Sequence, residues 1–579
     1  MGIPRLSQDL QAYAEGVILG MSMQPLNVGT IDLLVIDGPS LVYHVYNRLL
    51  AYRASRSPVL DGGFPSYSEI DQGFQHFLLD LEKRGVRIHH IFFDGGLPPS
   101  KRSVRLDRME KVRIQLERYR MQRPLDPMMT SIGDIQFEDA LWNTSFISTK
   151  KATPPPPPFM VASVIEFLRA SKWSHLVSVV SGEADSFCAQ AACETSAAVL
   201  TNDSDLAVHE LGPKSSLAML GSIEKKFSGQ GKGKYSLAIL SLHPKTISER
   251  LGVPSLVHFA FERYMDSSIS TAMVRERARD KPRLENLRVQ FNEFAEQYLP
   301  PQPQMTTKVP SPLGGIDPRT AELIVSTPGF PHIYLTSLLE DPSRDSAWSY
   351  GSDIRGLAYS LLAWSSLISQ PEAVVEYARK GRRITSTAVL QLKSSQLQHQ
   401  LHQWVNTLEK SYTTYPDTVA TPANEPERTS LLLNWHLLGS NTVHQQLLAR
   451  GKQPVPLSLL HGTVGLTKQH RNGSLRVTWD EIHFLAQVHA VLYSFRILKQ
   501  IAEYVLRVRC QDPGQAPGQG QGRPPKSTDN GNYGDEAQTT QNDHDPIEVL
   551  IRELSAKLKD MPSIAALFLS VSDLRTRFH

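Results

Sequence analysis

Four short apolar runs occur in the first third of the chain, and each is followed by acidic side chains. In order they are IDLLVI, IHHIFF, HLVSVV and AAVL. Runs of this length, rich in Val, Ile, Leu and Phe without strict alternation, are typical of strands buried on both faces of a sheet. The segments between them show helical periodicity, at about 68–84, 101–123, 159–173 and 183–194. The pattern predicts an α/β domain in which helices flank a parallel sheet.

The acidic side chains after these runs are the candidate chemistry of the chain. Because the carboxyl ends of parallel strands meet at one edge of a sheet, we expect them to share a pocket. Several carboxylates at close range cannot all ionise without a counter-charge. Two Mg²⁺ ions, for which Mn²⁺ can substitute, supply that charge and prefer oxygen ligands. Any one of these acids alone is more typical of a cap on a turn or helix. The predicted metal ligands are Asp37, Asp94, Glu183, Asp185, Asp203 and Asp205.

A strongly basic segment begins seven residues after the second of these acids. Residues 101–123 hold nine Lys or Arg against three Asp or Glu. Basic residues recur there every three or four positions, so a helix would place most of them on one face. A basic helix beside a metal pocket suits a polyanionic substrate whose phosphates the helix holds. A solvated charged helix is the alternative for such a run taken alone. The predicted substrate contacts are Lys101, Arg102, Arg105, Arg108 and Lys111.

Helical periodicity dominates from about residue 270 onward. It is clearest at 356–370, 388–410 and 480–508, and no catalytic constellation accompanies it. The Pro-rich stretch 300–318 predicts a loop or linker. The stretch 511–545, rich in Gly, Gln and Pro, predicts disorder. The last residues are expected to form one or two short helices that dock on the second lobe. The predicted units are therefore 1–270, 271–510, 511–545 and 546–579.

Composition narrows the class of protein. A length of 579 residues exceeds one ordinary domain, and 40% apolar with 21% charged residues is typical of a globular protein. The sequence contains no run of 18 apolar residues, so it predicts no membrane span. The three cysteines offer neither a disulfide framework nor zinc-ligand spacing, and acids precede the first apolar run, which argues against a secretory signal. We expect an intracellular protein without a membrane partner, with a nuclear location favoured over a cytoplasmic one.

Several segments match the motifs of one nuclease family in order and spacing. They are MGIPRL, VIDGPSLVYHVY, FFDGGLPPSKRSVRLDR, SGEADSFCA and TNDSDL. On these segments, residues 1 to about 270 resemble the XPG/flap-endonuclease superfamily of PIN-like nucleases, and the details resemble its Asteroid branch. The resemblance implies a PIN-like (XPG/FEN-type) α/β domain, with a parallel sheet flanked by helices, followed by a mostly α-helical C-terminal lobe of the Asteroid type.

The resemblance also implies roles for individual residues. In this family the amino terminus lies close to the active site, which would place Gly2 beside the substrate. A Tyr six residues after the first Asp stacks on the base next to the scissile phosphate, and this role falls on Tyr43. Lys101 and Arg108 fall at the spacing of the catalytic Lys and Arg that steer the phosphate at the base of a helical arch, here 101–123. The six acids would bind metal, as in the prediction from the residues alone.

One family motif is altered in this chain. The stretch LGVPSLVHFAFERYMDSSIS leaves Asp266 at about the position of a seventh carboxylate, which makes it a further candidate metal ligand. Tyr264 and Met265 replace the expected small residues before it, and Ser267 replaces the expected Tyr. No Gly-rich hairpin follows, so the family's usual grip on duplex DNA is not expected here.

Two functional hypotheses from different classes follow. The first is a Mg²⁺-dependent, structure-specific nuclease that hydrolyses phosphodiesters in DNA or RNA, with DNA favoured. The second is a catalytically weak nucleic-acid-binding or scaffold protein that keeps the nuclease fold and binds a protein partner through its helical lobe. A haloacid-dehalogenase-type phosphatase needs a D-x-D motif after the first strand, which Asp37-Gly38-Pro39 lacks. Neither phosphate-binding glycine motif of a Rossmann or P-loop protein follows a strand.

Overall fold

The computed structural model describes residues 2–20, 29–56, 64–123, 134–143, 153–227, 235–300, 315–327, 329–365, 371–414, 426–453, 455, 477–511, 545–571 and 573–574. The predictions for 300–318 and 511–545 fall almost entirely outside these residues.

An eight-stranded mixed sheet forms the centre of the amino-terminal half. Its order is β2-β1-β8-β7-β6-β3-β4-β5. The five strands from β5 to β7 in that order are parallel, and β8 is antiparallel to both of its neighbours. The four predicted strands are therefore adjacent and parallel, as β5-β4-β3-β6. The strands are β1 Glu15–Leu19, β2 Thr30–Ile31, β3 Leu33–Asp37, β4 Arg87–Asp94, β5 Val177–Val180, β6 Ala198–Thr201, β7 Ser216–Phe227 and β8 Tyr235–Leu242.

Helices cover both faces of this sheet. Along β3, Leu34 and Ile36 belong to one buried cluster, whereas Val35 belongs to another on the opposite face. The predicted α/β class is confirmed. The helices are α1 Leu6–Gln11, α2 Gly38–Arg56, α3 Tyr67–Lys83, α4 Arg102–Gln122, α5 Phe137–Trp142, α6 Met160–Arg169, α7 Ala184–Thr195, α8 Pro244–Leu251, α9 Leu256–Met265, α10 Thr271–Arg279, α11 Lys281–Asn286 and α12 Arg288–Ala295, with short 3₁₀ helices at Pro99–Lys101, Ser174–Leu176, Ser204–Val208 and Glu296–Tyr298.

The sequence pattern predicts one helix between β3 and β4, whereas the structure has two. The additional helix, α2, begins directly after Asp37. Leu41, Val42, Val45 and Leu49 on this helix are all fully buried. Because the buried residues of α2 also include the polar side chains His44, Arg48 and Arg53, its helical period is less evident in the sequence than that of α3.

The second lobe is mostly helical, as predicted, but it also contains a three-stranded sheet. The order is β11-β10-β9, with β9 parallel and β11 antiparallel to β10. The predicted helix at 388–410 is wrong at its start, because 388–390 end β11 and the helix begins at Ser394. The elements are α13 Pro318–Ser326, β9 His332–Leu335, the 3₁₀ helix Ala347–Ser349, α14 Ser352–Ser365, β10 Ala373–Lys380, β11 Arg383–Leu390, α15 Ser394–Thr414, α16 Pro426–Ala449, α17 Trp479–Gln511, α18 Pro546–Leu558 and α19 Ile564–Leu567.

The two lobes share one hydrophobic core, which runs from β1 to the last described helical residues. The ring of Phe159 stacks on Tyr493 with 4.1 Å between centroids, and Arg319 donates to the Pro158 carbonyl at 2.6 Å. Two helices occur among the described carboxyl-terminal residues. Of these, α18 packs on α15 and α17 of the second lobe, and α19 contacts α3 and α6 of the sheet domain as well as α16 of the second lobe. Among the described helices, none is both long enough and apolar enough to cross a bilayer.

Candidate metal and phosphate site

The six predicted metal ligands lie at the carboxyl edge of four adjacent parallel strands. Asp37 and Asp94 are the last residues of β3 and β4. Glu183 precedes α7, and Asp185 lies in its first turn. After β6, the remaining two ligands, Asp203 and Asp205, lie at the start of the 3₁₀ helix Ser204–Val208. The strand order therefore brings together acids that are up to 168 positions apart in the sequence.

Hydrogen bonds orient several of these carboxylates. Asp37 accepts from the Thr201 hydroxyl at 2.7 Å and from the Ser40 amide at 3.2 Å. Asp94 accepts from the amide of Ala184 at 2.8 Å, across the start of α7. Asp203 accepts from the amide of Asp205 at 2.9 Å, as the cap of its 3₁₀ helix. Asp37 and Asp203 thus have the capping role that is typical of single acids at such positions. Capping alone does not explain why six acids lie together.

Burial and mutual repulsion raise the pKa of most of these acids. Burial raises the pKa of Asp37 to about 6, and the charge of Asp94 adds to this shift. The hydrogen bonds from Ser40 and Thr201 lower the pKa and so oppose part of the shift. Burial and the charge of Asp203 raise the pKa of Asp205 to about 6, against hydrogen bonding from the Ile3 amide. The pKa of Asp185 is raised well above its ordinary value, by burial and then by four neighbouring carboxylates.

The remaining shifts have the same causes. Burial raises the pKa of Asp94 despite the amide bond from Ala184 and the charges of Arg105 and Arg108. Burial also raises the pKa of Glu183, although the adjacent Lys101 lowers it. The charges of these carboxylates therefore act on one another, and Lys101, Arg105 and Arg108 offset only part of their repulsion.

This donor set suits a hard divalent cation in its chemistry. All six side chains offer oxygen ligands, and a bound cation would lower the pKa values that are raised at five of them, namely Asp37, Asp94, Glu183, Asp185 and Asp205. In the described part of the chain, however, no group of three or more His, Cys, Asp or Glu side chains is spaced to hold an ion. The residues fit a divalent cation by charge and ligand type, and closing around one would require side-chain rearrangement.

The basic segment lies beside this cluster, as a helix that begins at Arg102. Lys101, just before it, lies 3.4 Å from a carboxylate oxygen of Glu183. Arg108 and Lys111 are exposed. Arg102 and Arg105 instead lie over the rings of Phe330 and Tyr334 of the second lobe, at 4.3 and 5.6 Å. The expected basic face is therefore divided between the carboxylate cluster, solvent and the second lobe.

Two residues assigned through the family resemblance lie in accessible positions. The backbone at the amino terminus touches the cluster, because the amide of Ile3 donates to Asp205 at 2.9 Å. A Cβ atom on Gly2 would lie only 2.9 Å from Asp205 Oδ2. Tyr43 projects from α2 and is 46% exposed, although it is large and partly apolar. Both positions are open to a substrate, and their roles stay predictions.

Asp266 has a different environment from the other six acids. It follows α9 and accepts hydrogen bonds from the amide and hydroxyl of Ser268, at 3.0 and 2.6 Å. Arg277 lies 3.6 Å away. These contacts, Ser268 first, lower the pKa of Asp266. Asp266 thus has a local, solvent-exposed role in this structure, and its assignment as a seventh ligand stays a prediction.

Sequence reasoning missed two residues that approach the cluster from beyond residue 270. Burial and the charges of Asp205, Asp203, Glu183 and Asp185 raise the pKa of Tyr298, which belongs to the 3₁₀ helix Glu296–Tyr298. Glu322 on α13 is 5% exposed, and its charge raises the pKa of Asp94. Neither residue belongs to a sequence motif, so only the packing of the later helices shows that they lie near the cluster.

Comparisons with known proteins agree with the fold. A family model described as "XPG domain containing" matches residues 156–390. This match includes the acids after β5 and β6 and continues to the end of β11. Asteroid homolog 1 of Schizosaccharomyces pombe is 24% identical over 405 residues, which is 67% of this chain. The aligned part covers 66% of that relative, just under two thirds of its length. Both findings support the resemblance drawn from the sequence motifs.

Proposed function

We propose that this chain, which resembles the Asteroid type of the XPG superfamily, is a divalent-metal-dependent, structure-specific nuclease. The observation that carries the proposal is the convergence of six carboxylates from four adjacent strands beside Lys101 and the helix α4. A crowded set of acids destabilises a fold unless a cation binds there. A phosphodiester in DNA or RNA is the substrate class that such a site and a basic helix suit together.

Two Mg²⁺ or Mn²⁺ ions are the cofactors that we propose. When bound, they would supply Lewis-acid chemistry and the positive charge that the cluster lacks. The residues that would hold them are Asp37, Asp94, Glu183, Asp185, Asp203 and Asp205.

The other side chains of the site would bind and orient the substrate. The ammonium of Lys101, now 3.4 Å from Glu183, is placed to move to a phosphate oxygen and stabilise its developing charge. Arg108 is exposed about two helical turns after Lys101 and would hold a neighbouring phosphate. Tyr43 would stack on a base, and the small Gly2 would let the backbone approach the substrate closely.

Cleavage of labelled single-stranded, duplex, gapped and 5′-flap oligonucleotides tests this proposal. Asp203→Asn should abolish cleavage in Mg²⁺ or Mn²⁺, because it removes one carboxylate from the cluster with little change in shape. Asp32→Asn is the matched control, since its side chain is 74% exposed next to β3 and lies outside the cluster. The wild type and Asp32→Asn should cut equally and stop cutting in EDTA. Equal cleavage by Asp203→Asn would assign the activity to another site or to a contaminant.

A scaffold function is the second candidate, and one observation favours it. Within the described ranges, no three-ligand metal group is already closed, and a large helical lobe is available for a protein partner. On this alternative, nucleic acid would bind with the same affinity in EDTA and in Mg²⁺, and no substrate would be cut. A nuclear location, favoured by the sequence, stays a prediction under either function.

A further inference from the structure

We propose that the β10–β11 hairpin is a second nucleic-acid-binding site, which contacts the phosphate backbone at a distance from the carboxylate cluster. The contacting residues are Lys380, Arg382 and Arg383 at the turn of the hairpin. This inference rests on the proposed function, because it extends the substrate-binding surface of α4 onto the second lobe. It assigns a role in substrate binding to a sheet that the sequence does not predict.

The turn presents its three basic side chains together to solvent. Lys380 and Arg383 are paired across the two strands, so Gly381 and Arg382 form a two-residue turn. Two-residue hairpin turns require a positive φ, which Gly adopts most easily, and Gly381 has a φ of +60°. All three basic residues are exposed, and the side chain of Arg382 is 92% exposed. Three cations at one tight turn make a compact site for phosphates.

A buried ion pair anchors this turn from below. Arg379 is paired with Glu340 at 2.9 Å, and both side chains are inaccessible to solvent. Arg379 Nη1 also donates to the carbonyl of Gly381 at 3.3 Å and to that of Arg344 at 3.0 Å. Because the turn is fixed by these bonds, its backbone loses little further freedom on binding.

The hairpin belongs to the same rigid surface as the basic helix. Met109 of α4 packs against Tyr334 and Tyr377 in a small apolar cluster between the helix and the sheet. Arg382 lies 3.9 Å from Glu117 near the other end of α4. Glu110 and Glu117 both pair with Arg113 at 2.7 Å. With the exposed Asp107 they are the three acids of residues 101–123, against nine Lys or Arg, so the surface of this segment stays positive.

Between the cluster and the hairpin, α4 carries three further exposed cations, Arg108, Lys111 and Arg118. Glu117, which lies next to Arg382 of the hairpin, is sixteen residues after Lys101. The hairpin is therefore about 24 Å from Lys101 along the helix. At about 3.4 Å per base pair, this distance corresponds to roughly seven base pairs of duplex. Only a substrate longer than this can reach both the cluster and the hairpin.

Fluorescence anisotropy in EDTA, with labelled DNA and RNA, tests the inference without cleavage. The substrates are a junction with 20 base pairs on each side and one with 4 base pairs on each side. The variant is Lys380→Ala/Arg382→Ala/Arg383→Ala. The matched control is Lys172→Ala/Lys245→Ala/Lys281→Ala, which removes the same charge at scattered exposed positions. Thermal unfolding checks that both triple variants keep the wild-type fold.

We expect the hairpin variant to bind the long substrate on the order of tenfold more weakly at about 0.1 M salt. The slope of log affinity against log salt should become shallower by about 2–3, since each phosphate contact contributes about 0.9. The short substrate and the control variant should show neither change. Wild-type affinity and slope in the hairpin variant would overturn the inference alone, provided that the wild type binds and cuts. A wild type that binds no nucleic acid would overturn the proposed function and this inference together.

Discussion

Replacing Asp37 by Asn is expected to stabilise the metal-free protein and to abolish its activity. Asp37 is only 5% exposed, and burial together with Asp94 raises its pKa from 3.8 to about 6. Asn has nearly the same shape and can still accept from the Ser40 amide. Its amide group can donate to the Thr201 hydroxyl, which now donates to Asp37. The substitution therefore removes mainly a charge.

The expected stabilisation follows from the difference between the folded and unfolded pKa. In the unfolded chain Asp37 ionises near pH 3.8, whereas in the folded chain it ionises near pH 6. Below about pH 4 the carboxyl is protonated in both states, so it costs nothing. Stability is then lost as the pH rises through 6. At about 1.4 kcal/mol per pKa unit, the ionised group costs about 3 kcal/mol at pH 7 and above. Asp37→Asn should restore that amount at pH 8 and almost none at pH 4.

Asp71→Asn is the matched control for a buried carboxyl group outside the cluster. Asp71 lies on α3, is 3% exposed and accepts a hydrogen bond from the Ser163 hydroxyl at 2.8 Å. Burial raises its pKa to about 8. The sign is the same, so at pH 7 the substitution should stabilise the fold by about 4 kcal/mol. Unlike Asp37→Asn, it should leave cleavage unchanged.

Thermal and urea unfolding in EDTA, from pH 4 to 9, measures both variants against the wild type. A gain of about 3 kcal/mol should raise the unfolding temperature by a few degrees. The electrostatic reasoning is refuted if Asp37→Asn unfolds below the wild type at pH 8, or if the difference is the same at pH 4. Adding Mg²⁺ should stabilise the wild type more than Asp37→Asn. Loss of cleavage in Asp71→Asn as well would point to a global change in the fold.

Two further predictions concern the hairpin anchor and the amino terminus. Arg379→Met should lower the free energy of unfolding by about 3–5 kcal/mol, because it leaves the buried Glu340 carboxylate without its ion-pair partner. Thermal unfolding measures this loss, and a change below about 1 kcal/mol would contradict the prediction. Gly2→Ala should slow single-turnover cleavage several-fold, because the new Cβ atom would lie 2.9 Å from Asp205 Oδ2. The unfolding temperature should not change. An unchanged cleavage rate would exclude a close approach of the amino terminus to the reacting phosphate.

Much of the amino-terminal fold could be predicted because its signals are local. Each of the strands β3, β4, β5 and β6 is a short apolar run, and each ends at an acidic residue or two to three residues before one. The parallel arrangement then follows from the helices between them, since a parallel crossover needs a connection of that length. The position of α4 was predictable from its charge spacing for the same reason.

The three-stranded sheet of the second lobe was not predictable in this way. β9 has only four residues, and β11 is exposed along much of its length, so neither shows the apolar run of a buried strand. The ion pair between Arg379 and Glu340 joins residues 39 positions apart. No periodicity records such a pair, although it holds the turn on which our further inference depends.

By itself, the sequence determined which side chains are the candidates for the chemistry: six acids at strand ends and a basic helix beside them. This was possible because strand ends and helix faces are properties of neighbouring residues. Only the tertiary structure decided what surrounds that chemistry. It turned Arg102 and Arg105 toward aromatic rings, brought Tyr298 and Glu322 to the acids, and placed a basic hairpin against α4. These contacts join segments far apart in the chain, and they depend on how the two lobes pack their shared core.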